Sequence, residues 1–398
     1  MSCRHGLIRA SAQRCQQGFT LLELMVGVLI GLLCTLVIAT VLSAAEGQRR
    51  GTTEGGDALV SGQLALYALQ RDVAIAGYGY ASEASAVGCT LDARFNGAVT
   101  AALPPVLAPV IITAGGPGVS DQIRVVASSK LVQANGGANQ IGYSVPMRTI
   151  APQYAAGAVA YPVKSSMGTL AGDLIVAVAN AGLNCQLFQA TGVTAQTVQR
   201  ANGAPWNSAG FPTLTTQEPC IPPVPVTPGS CAPANATGSF LVNMGQFIDR
   251  IYTADANQRL TLSQLNAQNM TRTVTELQGG IVMLKAFYGK DTDADGAVDT
   301  YDTVLPTNQA EWLQVISIRM AVVARSAQYE REEVSKTDPS WDVGASGAVV
   351  GAKPCGTSRC IVLSVDADPD WKHYRYRVFD TLVPLRNQRW KSRLPVAS

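Results

Sequence analysis

The stretch Leu24–Ala45 holds 22 consecutive residues without a charged side chain. As a helix at 1.5 Å per residue it measures roughly 33 Å, enough to cross the hydrocarbon core of a bilayer. It is the single apolar run of that length in the 398 residues, which excludes a multi-span membrane protein. Met1–Gly18, ahead of it, is polar, carries Arg4, Arg9 and Arg14, and contains no acid. A secretory signal peptide would place its apolar region first and a small-residue cleavage site after it. Here that order is reversed. Basic residues on the amino side predict a cytoplasmic leader, one span, and the bulk of the chain on the far side.

Glu23 does not suit a plain anchor, because a carboxylate within a bilayer costs about 2.5–3.5 kcal/mol unless something pairs with it. Cleavage after Gly18 would leave Phe19 with a new α-ammonium, and Glu23 would be the fifth residue of the mature chain. Amine and acid at one helix end can then neutralise each other between stacked helices and set their register. Gly18-Phe19-Thr20-Leu21-Leu22-Glu23, followed by an apolar helix, resembles the class III leader of type IV prepilins and type II secretion pseudopilins. The resemblance implies that a prepilin peptidase cuts after Gly18 and methylates the Phe19 amine. The 18-residue leader is long for the commonest pilin class.

Beyond the span, Gly47, Gly51, Gly55 and Gly56 predict a helix weakened or melted near 47–56, since each costs up to about 1 kcal/mol relative to Ala. Helical periodicity resumes over Ala58–Ala76, with Leu59, Leu66, Leu69 and Val73, and offset Leu64 and Tyr67, on one apolar face. From Gly77 onward, short β-prone runs lie between Gly, Pro, Asn and Ser turns: Gln122–Ala127, Asp173–Ala179, Gln186–Ala190 and Phe240–Tyr252. In Trp312–Ala324, Trp312, Ile316, Ile318, Met320 and Val322 share a face opposite Ser317 and Arg319; Tyr374, Tyr376 and Val378 oppose Arg375 and Arg377. Both read as half-buried antiparallel strands. The expected fold is α+β and pilin-like, a long amino-terminal transmembrane and stalk helix packed on a sheet-rich globular domain. Its parts are a removed leader (1–18), an assembly helix (19–45), a glycine-weakened stalk (46–76) and a globular domain (77–398) with a Pro-rich loop at 219–233.

Thirty basic and 28 acidic side chains leave a net charge of +2, which excludes a basic nucleic-acid-coating protein. His5 and His373 are the only histidines, and no GxSxG, HExxH, Walker A or GxGxxG motif occurs. An anchored periplasmic enzyme is therefore poorly supported. Of nine cysteines, Cys3 and Cys15 fall in the leader and Cys34 in the span. Cys89, Cys185, Cys220, Cys231, Cys355 and Cys360 remain, an even set that suggests structural disulfides among fifteen combinations. Proximity favours Cys220–Cys231 and Cys355–Cys360, leaving Cys89–Cys185.

The chemical motif beyond the span is Asp291-Thr-Asp293-Ala-Asp295-Gly296-Ala297-Val298-Asp299-Thr-Tyr-Asp302. It matches a calcium loop at positions 1, 3, 5, 6, 9 and 12, with the Ala297 carbonyl at position 7. Asp302 replaces the usual bidentate Glu, and the flanks read as strands, so a solvated Asp-rich turn is the competing reading. Asp366, Asp368 and Asp370, interrupted by Pro369, read as an ordinary loop.

Leu277-Gln-Gly-Gly-Ile281, Phe287-Tyr288-Gly289 before the acidic loop, Trp312–Arg325, and Tyr374–Asn387 ending in Leu385-Arg386-Asn387 together resemble the PilW type of minor pilin. The resemblance spans both ends of the chain and leaves 90–240 divergent. It implies a low-copy subunit that primes pilus assembly, sits at or near the tip, and supports twitching motility and adhesion. Implied partners are the other minor pilins, the major pilin, the inner-membrane assembly platform and a large calcium-binding tip adhesin. A type II secretion pseudopilin shares the leader and remains the alternative.

Overall fold

A computed structural model describes residues 20–131, 146–148, 158–178, 184–207 and 240–389. Gly18, Phe19, Cys220, Cys231 and the Pro-rich stretch 219–233 lie outside these described residues. The chain divides into two compact units, 1–54 and 55–398.

In the first unit, the helix that begins at Leu21 carries an apolar span over Leu21–Ser43 whose side chains are all exposed. Its few hydroxyls are satisfied locally: Thr35 and Thr40 donate to the carbonyls of Leu32 and Val37, and Ser43 to that of Thr40. Such back-bonding leaves no polar group seeking water in an apolar surround. Helical backbone continues without a break to Ile75, correcting the expectation of a melted stretch at 47–56. Glycine makes propagation costlier without forbidding it, and a helix already nucleated adds residues one hydrogen bond at a time.

In the second unit the helix buries Ala58, Ala65, Leu69 and Val73 in the main core, and Ala76 just past its end joins them. Leu66 is partly buried there, whereas Leu59, Leu64 and Tyr67 are exposed, so the face expected from the large residues is rotated away from the one that packs. Small side chains decide this. A Cβ at Gly62 would lie 2.1 Å from Cε2 of Phe379, so the backbone there touches the ring directly. Asp72, buried on the same face, accepts from Arg250 Nη1 at 2.7 Å and from the Tyr252 hydroxyl. Burial first, and then the Asp72 carboxylate, push the Tyr252 hydroxyl well above its ordinary pKa.

Among the described residues, five sheets have three or more strands, one of them the small sheet of Gly192–Thr194, Thr197–Gln199 and Ala160–Pro162. The largest runs in the order Val106–Leu107, Cys89–Asp92, Asn184–Gln189, Leu174–Val178, Phe240–Gly245 and Met147–Arg148. Within it, Cys89–Asp92 pairs parallel with Asn184–Gln189, a local exception to the expected antiparallel pairing. Cys89 and Cys185, on these neighbouring strands, form a disulfide with Cα atoms 5.7 Å apart. A five-stranded antiparallel sheet orders Thr271–Gly279, Arg259–Asn266, Ile248–Ala254, Gln122–Ala127 and Val110–Thr113. A four-stranded antiparallel sheet orders Thr300–Asp302, Ile281–Lys290, Val315–Arg325 and Tyr376–Pro384.

The sequence reading makes Trp312–Ala324 a half-buried strand; the observed strand is Val315–Arg325, and it is covered on both faces. Ile318, Met320, Val322 and Ala324 face the main core, while Ala321 and Val323 face a second one with Trp341, Val343 and Leu363. The cover is a small sheet of Ser340–Gly344, Ser358–Val362 and Lys353–Cys355, the last two joined by a Cys355–Cys360 disulfide. Arg319 lies under that cover, 5.4 Å from the Trp341 ring centroid, with Nη1 on the Val343 carbonyl at 2.9 Å. Trp312 is not in the strand. It belongs to a short helix, Gln309–Gln314, and fills the main core.

Candidate functional site

Two places carry the chemistry singled out from the sequence, and each is described within its own unit. At the head of the apolar helix, the Thr20 Oγ1 accepts from the Glu23 N–H at 3.2 Å. This is an N-cap: the hydroxyl takes one of the orphan amides of the first turn, and an acid three residues on suits the positive end of the helix dipole. Sequence reasoning noticed Glu23 and missed Thr20, although Thr-x-x-Glu before an apolar run is a readable start signal. Glu23 is exposed and, among the described residues, its carboxylate has no ion-pair partner. Only Leu, Ile, Val, Met, Gly, Ala, Cys, Thr and Ser follow it over the next 22 positions.

The acidic loop leaves the end of Ile281–Lys290 and returns through Thr300–Asp302. Asp291 is held at the strand end, its N–H donating to the Gln314 carbonyl at 2.8 Å. Its side chain turns inward, and Oδ2 accepts from the Gly296 N–H at 2.8 Å. Gly296 has φ +89°, the left-handed conformation that lets the chain double back here at no steric cost. Asp293 accepts from the Asp295 N–H at 3.1 Å, and Asp295 from the Ala297 N–H at 2.6 Å, so each short side chain props the next turn. Asp299 Oδ2 accepts from the Thr292 hydroxyl and the Thr292 N–H, both at 2.6 Å. Those bonds, the hydroxyl first, hold its carboxyl below the ordinary range.

Three of the predicted ligands come together. One carboxylate oxygen each from Asp291, Asp293 and Asp299 lies within 4.8 Å of the others. Asp302 is elsewhere, which corrects its place at position 12: its Oδ1 accepts from Lys290 Nζ at 2.7 Å and from the Val304 N–H at 2.9 Å. The reason is pairing register. Asp302 sits in a strand opposite Tyr288, so Lys290 reaches its carboxylate across the ladder. Asp366, Asp368 and Asp370 form a loop as expected, with Asp368 bound by Arg325 Nη1 at 2.8 Å. His373 stacks on Tyr329 at 4.6 Å between ring centroids, and its Nδ1 lies 2.8 Å from the Glu330 carbonyl oxygen. Among the described residues it meets neither a nucleophile nor an acid.

Residues 13–39 match the prokaryotic N-terminal methylation motif, and residues 247–387 match the model of the type IV pilus-assembly protein W family. Over those residues the chain is similar to PilW-type, prepilin-like proteins. The first match spans the leader junction and most of the apolar helix. The second spans three strands of the five-stranded sheet and all of the four-stranded one, from Phe247 through the acidic loop to Asn387. Neither match is to an enzyme family. No curated protein and no solved structure matches the chain.

Proposed function

We propose that this prepilin-like protein is a minor pilin of a type IV pilus, one that primes assembly and joins the tip complex supporting twitching motility and adhesion. The observation that carries the reading is Glu23: an exposed acid in the first helical turn, within a span, Leu21–Ser43, that is otherwise uncharged and exposed throughout. A prepilin peptidase frees the Phe19 amine, and the inner membrane holds the subunit by this helix with the remaining residues on the periplasmic side. The Phe19 ammonium of one subunit and the Glu23 carboxylate of its neighbour then fix the stagger as subunits stack, because each charge is costly in lipid until it meets the other. Partners in that process are the major pilin, the other minor pilins and the assembly platform.

Glu23→Ala should leave membrane insertion and cleavage after Gly18 intact and reduce surface piliation. Normal pili from that variant would overturn the pairing. Mass spectrometry of the mature chain should find methylated Phe19 at its amino terminus. Deletion of the gene separates the two filament systems: loss of pili and twitching supports the pilus, whereas blocked export of secreted enzymes supports the type II secretion pseudopilin.

A further inference from the structure

We propose that Asp291, Asp293 and Asp299 form a binding site for one hard divalent cation, calcium by its chemistry. The acidic cluster alone would not carry this, since carboxylates crowd many exposed turns. What points to a ligand is Asp291. The residue is 8% exposed, and its Oδ1 is enclosed with no hydrogen-bond partner among the described residues. Its Oδ2 is already committed to the Gly296 N–H. An ionised carboxylate oxygen taken out of water and given no donor is among the costliest arrangements a fold can keep. The adjacent cation does not relieve it. Lys290 Nζ is directed away, to Asp302 at 2.7 Å and the Val304 carbonyl at 3.1 Å. Among the described residues no Lys, Arg or His side chain forms an ion pair with Asp291, Asp293 or Asp299.

The donor set then selects the ion. It is all oxygen and all carboxylate, with no imidazole or thiolate in the cluster, which favours a hard cation over zinc or copper. Asp293 and Asp299 are exposed, leaving room for water or loop carbonyls to complete a shell of six to eight oxygens. A cluster with one fixed ligand and two on a short loop suits the adaptable shell of calcium better than the small rigid octahedron of magnesium. The bound ion would tie the buried end of Ile281–Lys290 to the loop that returns to Thr300–Asp302. It would use three of the loop's five aspartates, with Asp302 held by Lys290.

The test is calorimetric titration of the full-length protein in detergent micelles, stripped with chelator and then titrated with calcium chloride or magnesium chloride. The wild type should take up one equivalent of calcium and bind magnesium more weakly. Asp293→Asn and Asp299→Asn, both exposed, should each weaken calcium binding by about tenfold or more, because ligand charge sets affinity in such loops. Asp302→Asn should stay within about threefold of wild type, because in a loop that used position 12 it would fall as far as the others. Asp291→Asn is read alongside circular dichroism, so that loss of the site is told apart from loss of the fold. Absence of calcium uptake by the wild type overturns the proposal, as does equal loss in Asp302→Asn and Asp293→Asn. Tighter binding of magnesium overturns the choice of ion. Uptake by the purified chain is independent of whether that chain enters a pilus.

Discussion

Asp249 is fully buried between two guanidinium groups. Arg124 grips it through Nε at 2.8 Å and Nη2 at 2.5 Å, and Arg272 Nη2 adds a third contact at 2.7 Å. Both arginines also donate to the Ala102 carbonyl, so the group ties three strands of one sheet to a loop. Removing one partner from a buried ion group leaves the others uncompensated, which typically costs about 3–5 kcal/mol. Asp249→Asn should therefore lower stability in chemical denaturation by an amount in that range, and a loss below about 1 kcal/mol would refute the assignment. Nothing in the sequence announced this triad, because Arg124 lies 125 residues from Asp249 along the chain. Glu311 is a gentler case. Its carboxyl is held below the ordinary range, chiefly by the Thr307 N–H at 2.7 Å, at the start of the helix that buries Trp312. With a lowered folded-state pKa, the stability it adds is present above the unfolded carboxyl value, about 4.3, and is lost as pH falls through the folded value. Tryptophan-monitored melting of wild type and Glu311→Gln should differ at pH 7, and the gap should close below about pH 4. A gap that widened with acid would reverse the sign of this argument.

The helix and the disulfides show how much of each element the sequence made legible. Its second half was correctly expected to carry an apolar stripe, yet the stripe that packs is built from Ala58, Gly62 and Ala65 as much as from Leu69 and Val73. Large side chains dominate any periodicity count, so a face of small ones that admits a neighbour's ring passes unnoticed. Gly62→Ala should test that contact. The change favours helix by about 1 kcal/mol in isolation, yet overpacking against Phe379 costs about 1–3 kcal/mol. A net loss of stability is expected, relieved when Phe379→Leu is added; a stabilised Gly62→Ala single variant would show that the ring simply moves. The cysteines were partly legible, since parity suggested bridges and proximity suggested Cys355–Cys360. The Cys89–Cys185 bridge, left over by subtraction, lies beside the parallel strand pair. Its closure spans 96 residues against 5 for the other. Chain-entropy arithmetic gives about 4.7 kcal/mol for a loop near one hundred residues and about 2 kcal/mol for the short one. Replacing Cys89 and Cys185 together by Ala should thus lower the melting temperature more than replacing Cys355 and Cys360; the opposite ranking would show that strain or residual structure dominates.

At the scale of the whole molecule, the two units ask for different surroundings. Among the described residues, 55–398 hold the three hydrophobic cores, whereas the apolar span of residues 21–43 buries nothing. A fragment beginning at Gly55 should stay folded and monodisperse in plain buffer, while the full chain requires detergent. Aggregation of that fragment, read by light scattering, would show that the first unit is needed for folding as well as anchoring. Charge and hydropathy mark the apolar span, but the sequence reading places its boundaries at 45/46 and 76/77 and not at 54/55. The covering of Val315–Arg325 on both faces was not visible, because Ala321 and Val323 gave no hint of what would lie above them.

That double cover reaches the acidic loop. Ile281–Lys290 is paired to Val315–Arg325 along its length, and its side chains enter both cores, so the position where the loop begins is clamped from two sides. Asp291 inherits that stiffness, while Asp293, Ala294, Asp295 and Ala297 stand clear in solvent. Sequence drift at the outer rim should therefore leave the two-sided clamp beneath it undisturbed.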